Sequence, residues 1–168
     1  MLQLKLFGAP QISYQGQPLT GFVSAKVRAL LIYLAVTGRP HSRDHLAELL
    51  WADTPASTRA NLRKALSNLR QLIGNTLVED AKESIALNGA QVWVDVVEFG
   101  RLIKGGADQE AVTLYQADFL TGFNLSLSYE FEAWALSEQS RLKTQMVDLL
   151  RHLATQQEAN SKRSEAIQ

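Results

Sequence analysis

Residues 57 to 74 read STRANLRKALSNLRQLIG, and no other stretch limits so strongly what this chain can fold into. At 100° per residue, Leu62, Leu66, Leu69 and Ile73 fall within about 60° of one another, with Ala65 and Leu72 beside them. A stripe of that kind must face a core. On the opposite side lie Ala60, Arg63, Lys64, Ser67 and Gln71, flanked by Asn61 and Asn68 on one edge and by Arg59 and Arg70 on the other. The stretch holds four basic residues and no acidic one, so nothing within the helix neutralises its polar face. Arg and Lys pair with phosphate or with guanine O6/N7, and Asn and Gln with adenine N6/N7, so these residue types suit duplex DNA. The same pattern describes a solvated surface helix that is basic by chance, and the helix alone does not choose between the two.

Its neighbours narrow the choice. Leu2, Leu4 and Leu6 alternate with Gln3 and Lys5, and after Gly8-Ala9-Pro10 the period of two resumes at Ile12 and Tyr14, which predicts a small antiparallel N-terminal sheet. Ser24 is an N-cap for a helix carrying Val27, Leu30, Leu31 and Leu34, with Gly38 and Pro40 as its stop. Ser42 caps a second, short helix that turns Leu46, Leu49 and Leu50 inward and ends near Trp51. The opening stretch is then the third helix, begun by Ser57 or Thr58, and Gly74 stands where a left-handed residue closes it. Leu77-Val78 and Ile85-Ala86-Leu87 flank a charged tip, Glu79 to Glu83, and Val92-Trp93-Val94 follows an Asn88-Gly89 turn, which predicts a hairpin behind the helix. Sheet, three helices and hairpin in this order outline a winged helix-turn-helix.

Beyond Asp95, read as an N-cap, the pattern is helical: Val96 to Lys104, a Gly105-Gly106 break, about Asp108 to Ala117, and a long Gly- and Pro-free segment from about Tyr129 to Asn160. A module boundary is expected near Val94-Asp95. Charge divides at almost the same place. Residues 1–78 carry nine Lys/Arg and three Asp/Glu, a net +6, whereas residues 79–168 carry eight and fourteen, a net −6. Binding to a polyanion therefore belongs to the first half.

Several functions have no support in the sequence. The longest apolar run, Ala29 to Val36, falls far short of the roughly 20 residues that span a bilayer, and the N-terminus lacks the charged and apolar regions of an export signal. A cytoplasmic location without membrane contact is the expectation. There is no cysteine, so there is no disulfide or thiolate site, and none of the nucleophile-elbow, zincin, dinucleotide or P-loop motifs occurs; no enzyme activity and no cofactor are expected. His41 and His45 stand four apart with Asp44 and Glu48 nearby, but His41 precedes the helix and no third ligand is evident, so they read as polar residues of a short helix and not as a metal site. Trp51, Trp93 and Trp134 each sit on an apolar face and read as core.

Two stretches resemble a known family. SAKVRALLIYLAVTGRPHSRDHLAELLW, followed by STRANLRKALSNLRQLIG, resembles the DNA-binding half of the bacterial activators that join an OmpR-type winged helix to a bacterial transcriptional activator domain, often called the SARP family. VDVVEFGRLI with LYQADFLTGFNLSLSYEFEAWALSEQSRLK is similar to the start of the activator domain, and together the two cover the chain to about residue 157. The fold implied is α+β then all-α: a winged helix-turn-helix with a small antiparallel sheet over residues 1–94, then tetratricopeptide-like helices over 95–168. The resemblance also implies a sequence-specific transcriptional activator that binds promoter DNA, contacts RNA polymerase and pairs as a homodimer on direct repeats.

Carried over by position, Arg59, Arg63, Lys64, Ser67, Asn68 and Gln71 lie on the recognition helix. Ser42 and Arg43 open the helix before it, where N–H groups and a hydroxyl hold a phosphate, and Lys82 lies at the wing tip. Many members have uncharged residues at the positions of Arg63-Lys64, and the acidic Glu79, Asp80 and Glu83 around Lys82 imply a weak wing contact. The family's activator domain is longer than the residues after Asp95, so the chain is expected to be a fragment or truncated member. A second function class stays open: a non-catalytic protein-interaction module that uses the acidic helical half as a scaffold.

Overall fold

The computed structural model describes residues 1–75, 78–126 and 128–167. Leu77, expected in a strand, Leu127, within the second family-like stretch, and the terminal Gln168 lie outside the described residues.

Alternation at the N-terminus gives β1 (Leu2–Lys5), whose burial alternates with its sequence, paired antiparallel to β2 (Gln11–Tyr14), which pairs in turn with the two-residue β3 (Gln17–Pro18). Next comes α1 (Ala25–Thr37). Ser24 Oγ accepts from the Val27 N–H, and Gly38, at φ +60°, closes the helix by donating to Leu34 O. Val27, Ala29, Leu30, Leu31, Ile32, Tyr33, Leu34 and Ala35 of α1 are all buried, so this helix is enclosed on every side and the rest assembles around it. β4 (His41–Ser42) leads into α2 (Arg43–Trp51), capped by Ser42 Oγ, which accepts from the His45 N–H. The opening stretch forms α3 (Thr58–Ile73), with Leu62, Ala65, Leu66, Leu69 and Ile73 buried against α1 and α2. Gly74 does close it, but at φ +87° and ψ 160°, outside the left-handed helical region.

The hairpin after α3 has a shorter tip than its sequence implies. β5 (Val78–Asp80) pairs with β6 (Ser84–Leu87), and β6 pairs with β4, so Glu79 and Asp80 belong to a strand and the tip is Ala81 to Glu83. Asn88 caps a single 3₁₀ turn, Gly89–Gln91, and not a two-residue hairpin turn. The next strand, β7 (Val92–Val94), leaves the hairpin and lies parallel to β1, giving the order β3-β2-β1-β7.

Asp95 is not an N-cap. It is the first residue of α4 (Asp95–Lys104), 5% exposed, and its carboxylate reaches back to β1. The Leu6 N–H donates to both oxygens at 2.9 and 2.8 Å, the Phe7 N–H donates to Oδ2 at 3.0 Å, and the Val96 N–H donates to Oδ1 at 2.8 Å. Burial pushes this carboxyl above its ordinary pKa, while the N–H donors of Phe7, Leu6 and Val96 pull it back. α5 (Asp108–Leu114) ends three residues before the expected Ala117. The following segment crosses back to the sheet: the Gly8 N–H donates to Asp118 O, and the Leu120 N–H to Leu6 O.

One helix, α6 (Tyr129–Ala166), occupies the rest of the chain. It packs on α2 and α5 through Phe131, Leu142 and Leu149, and Trp134 meets Tyr33 of α1 edge-on at 4.8 Å. The apolar core is continuous across Val94-Asp95, from Leu2 to Leu149. No described helix is long and apolar enough to cross a membrane.

Candidate nucleic-acid interface

α3 presents its basic face to solvent. Arg59, Ala60, Arg63, Lys64, Ser67 and Gln71 are exposed, as the stripe of buried leucines requires. Beside them the N-terminus of α2 and the wing tip converge on a cleft of about 290 Å³, lined by Ser42, Arg43, Asp44, Arg59, Arg63 and Lys82 among others. Residues expected from three separate places in the sequence, the two helices and the hairpin tip, therefore share one concavity.

Ion pairs sort these residues further. Arg43 is paired with Asp80 on β5, and Arg70 holds the other oxygen of the same carboxylate. Arg59 pairs with Asp44 at 2.8 Å. Among the described residues, no acidic group lies within ion-pairing distance of Arg63, Lys64 or Lys82. Of the acidic wing residues Asp80 acts inward, whereas Glu79 and Glu83 are exposed and Glu83 lines the cleft beside Lys82. Asp80 fixes the strand to α2 and α3, occupying the place a phosphate oxygen would take on Arg43.

Asn68 does not join the exposed face. It is 6% exposed; its Oδ1 accepts from the Val23 N–H at 3.0 Å and its Nδ2 donates to Gly21 O at 3.2 Å. The amide satisfies the backbone of the loop entering α1, so its assignment as a base-reading residue is corrected to a structural one. Gly21 belongs to the same contact: at φ +93° a Cβ there would come within 3.0 Å of Leu72 Cδ2. Asn61 is likewise turned to the helix start, where its Nδ2 donates to Thr54 Oγ1 and Ser57 Oγ.

Behind the cleft, His41 and His45 stack at 5.5 Å between centroids. The Thr37 hydroxyl donates to Tyr33 O, so at 2.7 Å His41 Nε2 carries the proton and donates to Thr37 Oγ1. His45 Nε2 is engaged by the Tyr33 hydroxyl at 2.9 Å. Burial, with Arg39 and His45 nearby, lowers the His41 pKa to about 4. Because the folded value lies below the ordinary 6.5, the unfolded chain takes up the proton first. The contribution is whole above about pH 6.5 and is lost as pH falls toward 4, by up to about 3 kcal/mol. Urea unfolding across this window should show that decline in the wild type relative to His41→Phe; an identical pH profile in the two proteins would contradict the assignment.

Three helices around a short hairpin, with α2 and α3 forming the angle and β5-β6 the wing, define a winged-helix fold carrying a helical extension. Among solved structures, the chain is similar to Mycobacterium tuberculosis EmbR, determined in complex with a low affinity phosphopeptide, with a TM-score of 0.60 and 20% identity. The match covers 88% of this chain and 45% of that one, so the chain spans less than half of EmbR. At this identity the likeness is one of fold, and it bears out the expected small antiparallel sheet followed by helices. No protein-family model matches the chain, and no curated protein matches it.

Proposed function

We propose that the protein is a non-enzymatic, sequence-specific regulator of transcription that binds duplex DNA through α3. The observation that carries this reading is the exposed face of α3, on which Arg63 and Lys64 stand without acidic partners among the described residues, beside Ser67 and Gln71 and above a cleft shared with α2 and the wing. In the major groove, Arg63 and Gln71 offer bidentate hydrogen bonds to base edges and Lys64 a charge to phosphate. Ser42, Arg43, Arg59 and Lys82 lie at the rim, where the flanking backbone would pass. The fold shared with EmbR and the +6 charge of residues 1–78 support the same placement.

The finer parts of the proposal rest on the family resemblance. Residues 1–94 serve as the DNA-binding module and 95–168 as the start of an activator domain of tetratricopeptide-like helices. The protein acts in the cytoplasm on promoter repeats and contacts RNA polymerase. The competing reading is the interaction module without DNA affinity, and salt separates the two. Binding to random duplex DNA should weaken as salt rises, with a log–log slope near −0.9 for each phosphate neutralised. Arg43→Ala should weaken all sequences alike and make that slope shallower by less than one, because Asp80 already holds this guanidinium. A chain that binds no duplex even at low salt is an interaction module.

A further inference from the structure

The N-terminus of α2 has the groups that hold a phosphate, and the protein itself already occupies them. The Arg43 N–H, the first of the helix, donates to Glu83 O at the wing tip at 3.3 Å, and the His45 N–H donates to Ser42 Oγ at 3.1 Å. The Arg43 guanidinium is engaged by Asp80 Oδ1 on β5. The second oxygen of that carboxylate is held by Arg70, which stands on α3 and keeps Asp80 aimed at α2. The Asp80 side chain is 31% exposed, so the pair lies at the rim, within reach of a DNA strand, and not in the core.

Given DNA binding through α3, on which this rests, we infer that Asp80 is an autoinhibitory group: it competes with backbone phosphate for Arg43 and lowers affinity for every duplex without altering which sequence is preferred. A carboxylate and a phosphate oxygen need the same N–H donors of a guanidinium, so one is bound at the expense of the other. Contacts to the backbone carry no base information, so the competition acts on all sequences alike. Asp44 holds Arg59 in a similar way, but both side chains of that pair are more than two-thirds exposed, and such a pair yields to a competitor at little cost. Asp80 differs because two cations from two elements fix one carboxylate. Its neighbour on β5, Glu79, is exposed and makes no ion pair among the described residues, since alternation along the strand turns it to the opposite face. Adjacent residues thus carry the same charge, and only one of them occupies an arginine.

Fluorescence anisotropy of the full chain on a labelled random-sequence duplex, over a series of KCl concentrations, tests this. Asp80→Asn is expected to bind about three- to tenfold more tightly than the wild type, with a log–log salt slope steeper by up to about 0.9, because Arg43 then meets phosphate without a competitor. The gain should be the same on a duplex selected for tight binding. Adding Arg43→Ala to Asp80→Asn should remove the whole increment in affinity and slope, a larger loss than Arg43→Ala causes in the wild type. Glu79→Gln removes an equal charge but frees no arginine, and should change affinity by less than about twofold. Asp80→Glu, which keeps the charge, should bind as the wild type does. A carboxylate that merely braces the wing predicts the reverse, since its loss would weaken binding to every duplex. An Asp80→Asn protein that binds no tighter than the wild type, a Glu79→Gln gain of equal size, or a gain that survives Arg43→Ala would each overturn the assignment while leaving DNA binding itself intact. If neither the wild type nor Asp80→Asn binds duplex at low salt, the DNA reading and the role of Asp80 fall together.

Discussion

Asp95→Ala is expected to cost about 3–5 kcal/mol of stability, because it removes the acceptor of buried N–H groups that have no water to replace it. The Leu6 and Phe7 N–H groups would be orphaned at the end of β1, and the first turn of α4 would lose its bond to the Val96 N–H. Total stability for a domain of this size is about 5–15 kcal/mol, so the loss is a large part of the whole. Asp95→Asn should recover little of it. One of its two terminal atoms becomes a donor and is turned against the same N–H groups. Chemical denaturation of both variants checks the claim, and a loss below about 1 kcal/mol in each would mean that the carboxylate does not hold the sheet to α4.

The second large effect concerns DNA. Arg63→Glu combined with Lys64→Glu should reduce duplex affinity by roughly a hundredfold or more, since each contact of this kind contributes about 1–3 kcal/mol and the reversal adds repulsion from phosphate. Both residues are exposed and make no ion pair among the described residues, so unfolding should change by no more than about 0.5 kcal/mol. Fluorescence anisotropy and a urea melt on the same preparation separate the two effects. Lost binding with intact stability is expected, whereas retained binding would remove α3 from the interface.

What the sequence made legible was local. The leucine stripe of α3, the Ser24 and Ser42 caps and the alternation of β1 each depend on residues within a turn or two of one another, and each was found where expected. What escaped was long-range. Asn68 sits at the edge of the polar arc on a wheel, and nothing in its neighbours shows that its amide is spent on Gly21 and Val23, more than forty residues away. An aspartate before an apolar helix reads locally as a cap, yet the partners of Asp95 lie 88 and 89 residues back. Asn88-Gly89 carries a strong hairpin signal, but pairing β7 with β1 buries Val94 against the N-terminal sheet, and that gain belongs to the fold and not to the turn. The acidic residues around Lys82 implied a weak wing contact. Their principal carboxylate, Asp80, proves to be neutralised by two arginines from other elements.

Those ion pairs also set how the interface would work. Arg43, Arg59 and Arg70 are already held by carboxylates, so a phosphate gains from them only by displacing Asp80 or Asp44. Arg63 and Lys64 meet no such competition. Discrimination among sequences should therefore concentrate on the exposed middle and end of α3, with the rim contributing a weaker, sequence-independent attraction.

Selection of duplexes from a random pool, carried out in parallel with the wild type, Arg63→Ala and Gln71→Ala, tests that claim most directly. The wild type should enrich a defined short motif, and each variant should lose preference at one position while keeping the others. Failure to enrich any motif, or the same motif from all three proteins, would contradict the assignment of α3 as the element that reads DNA.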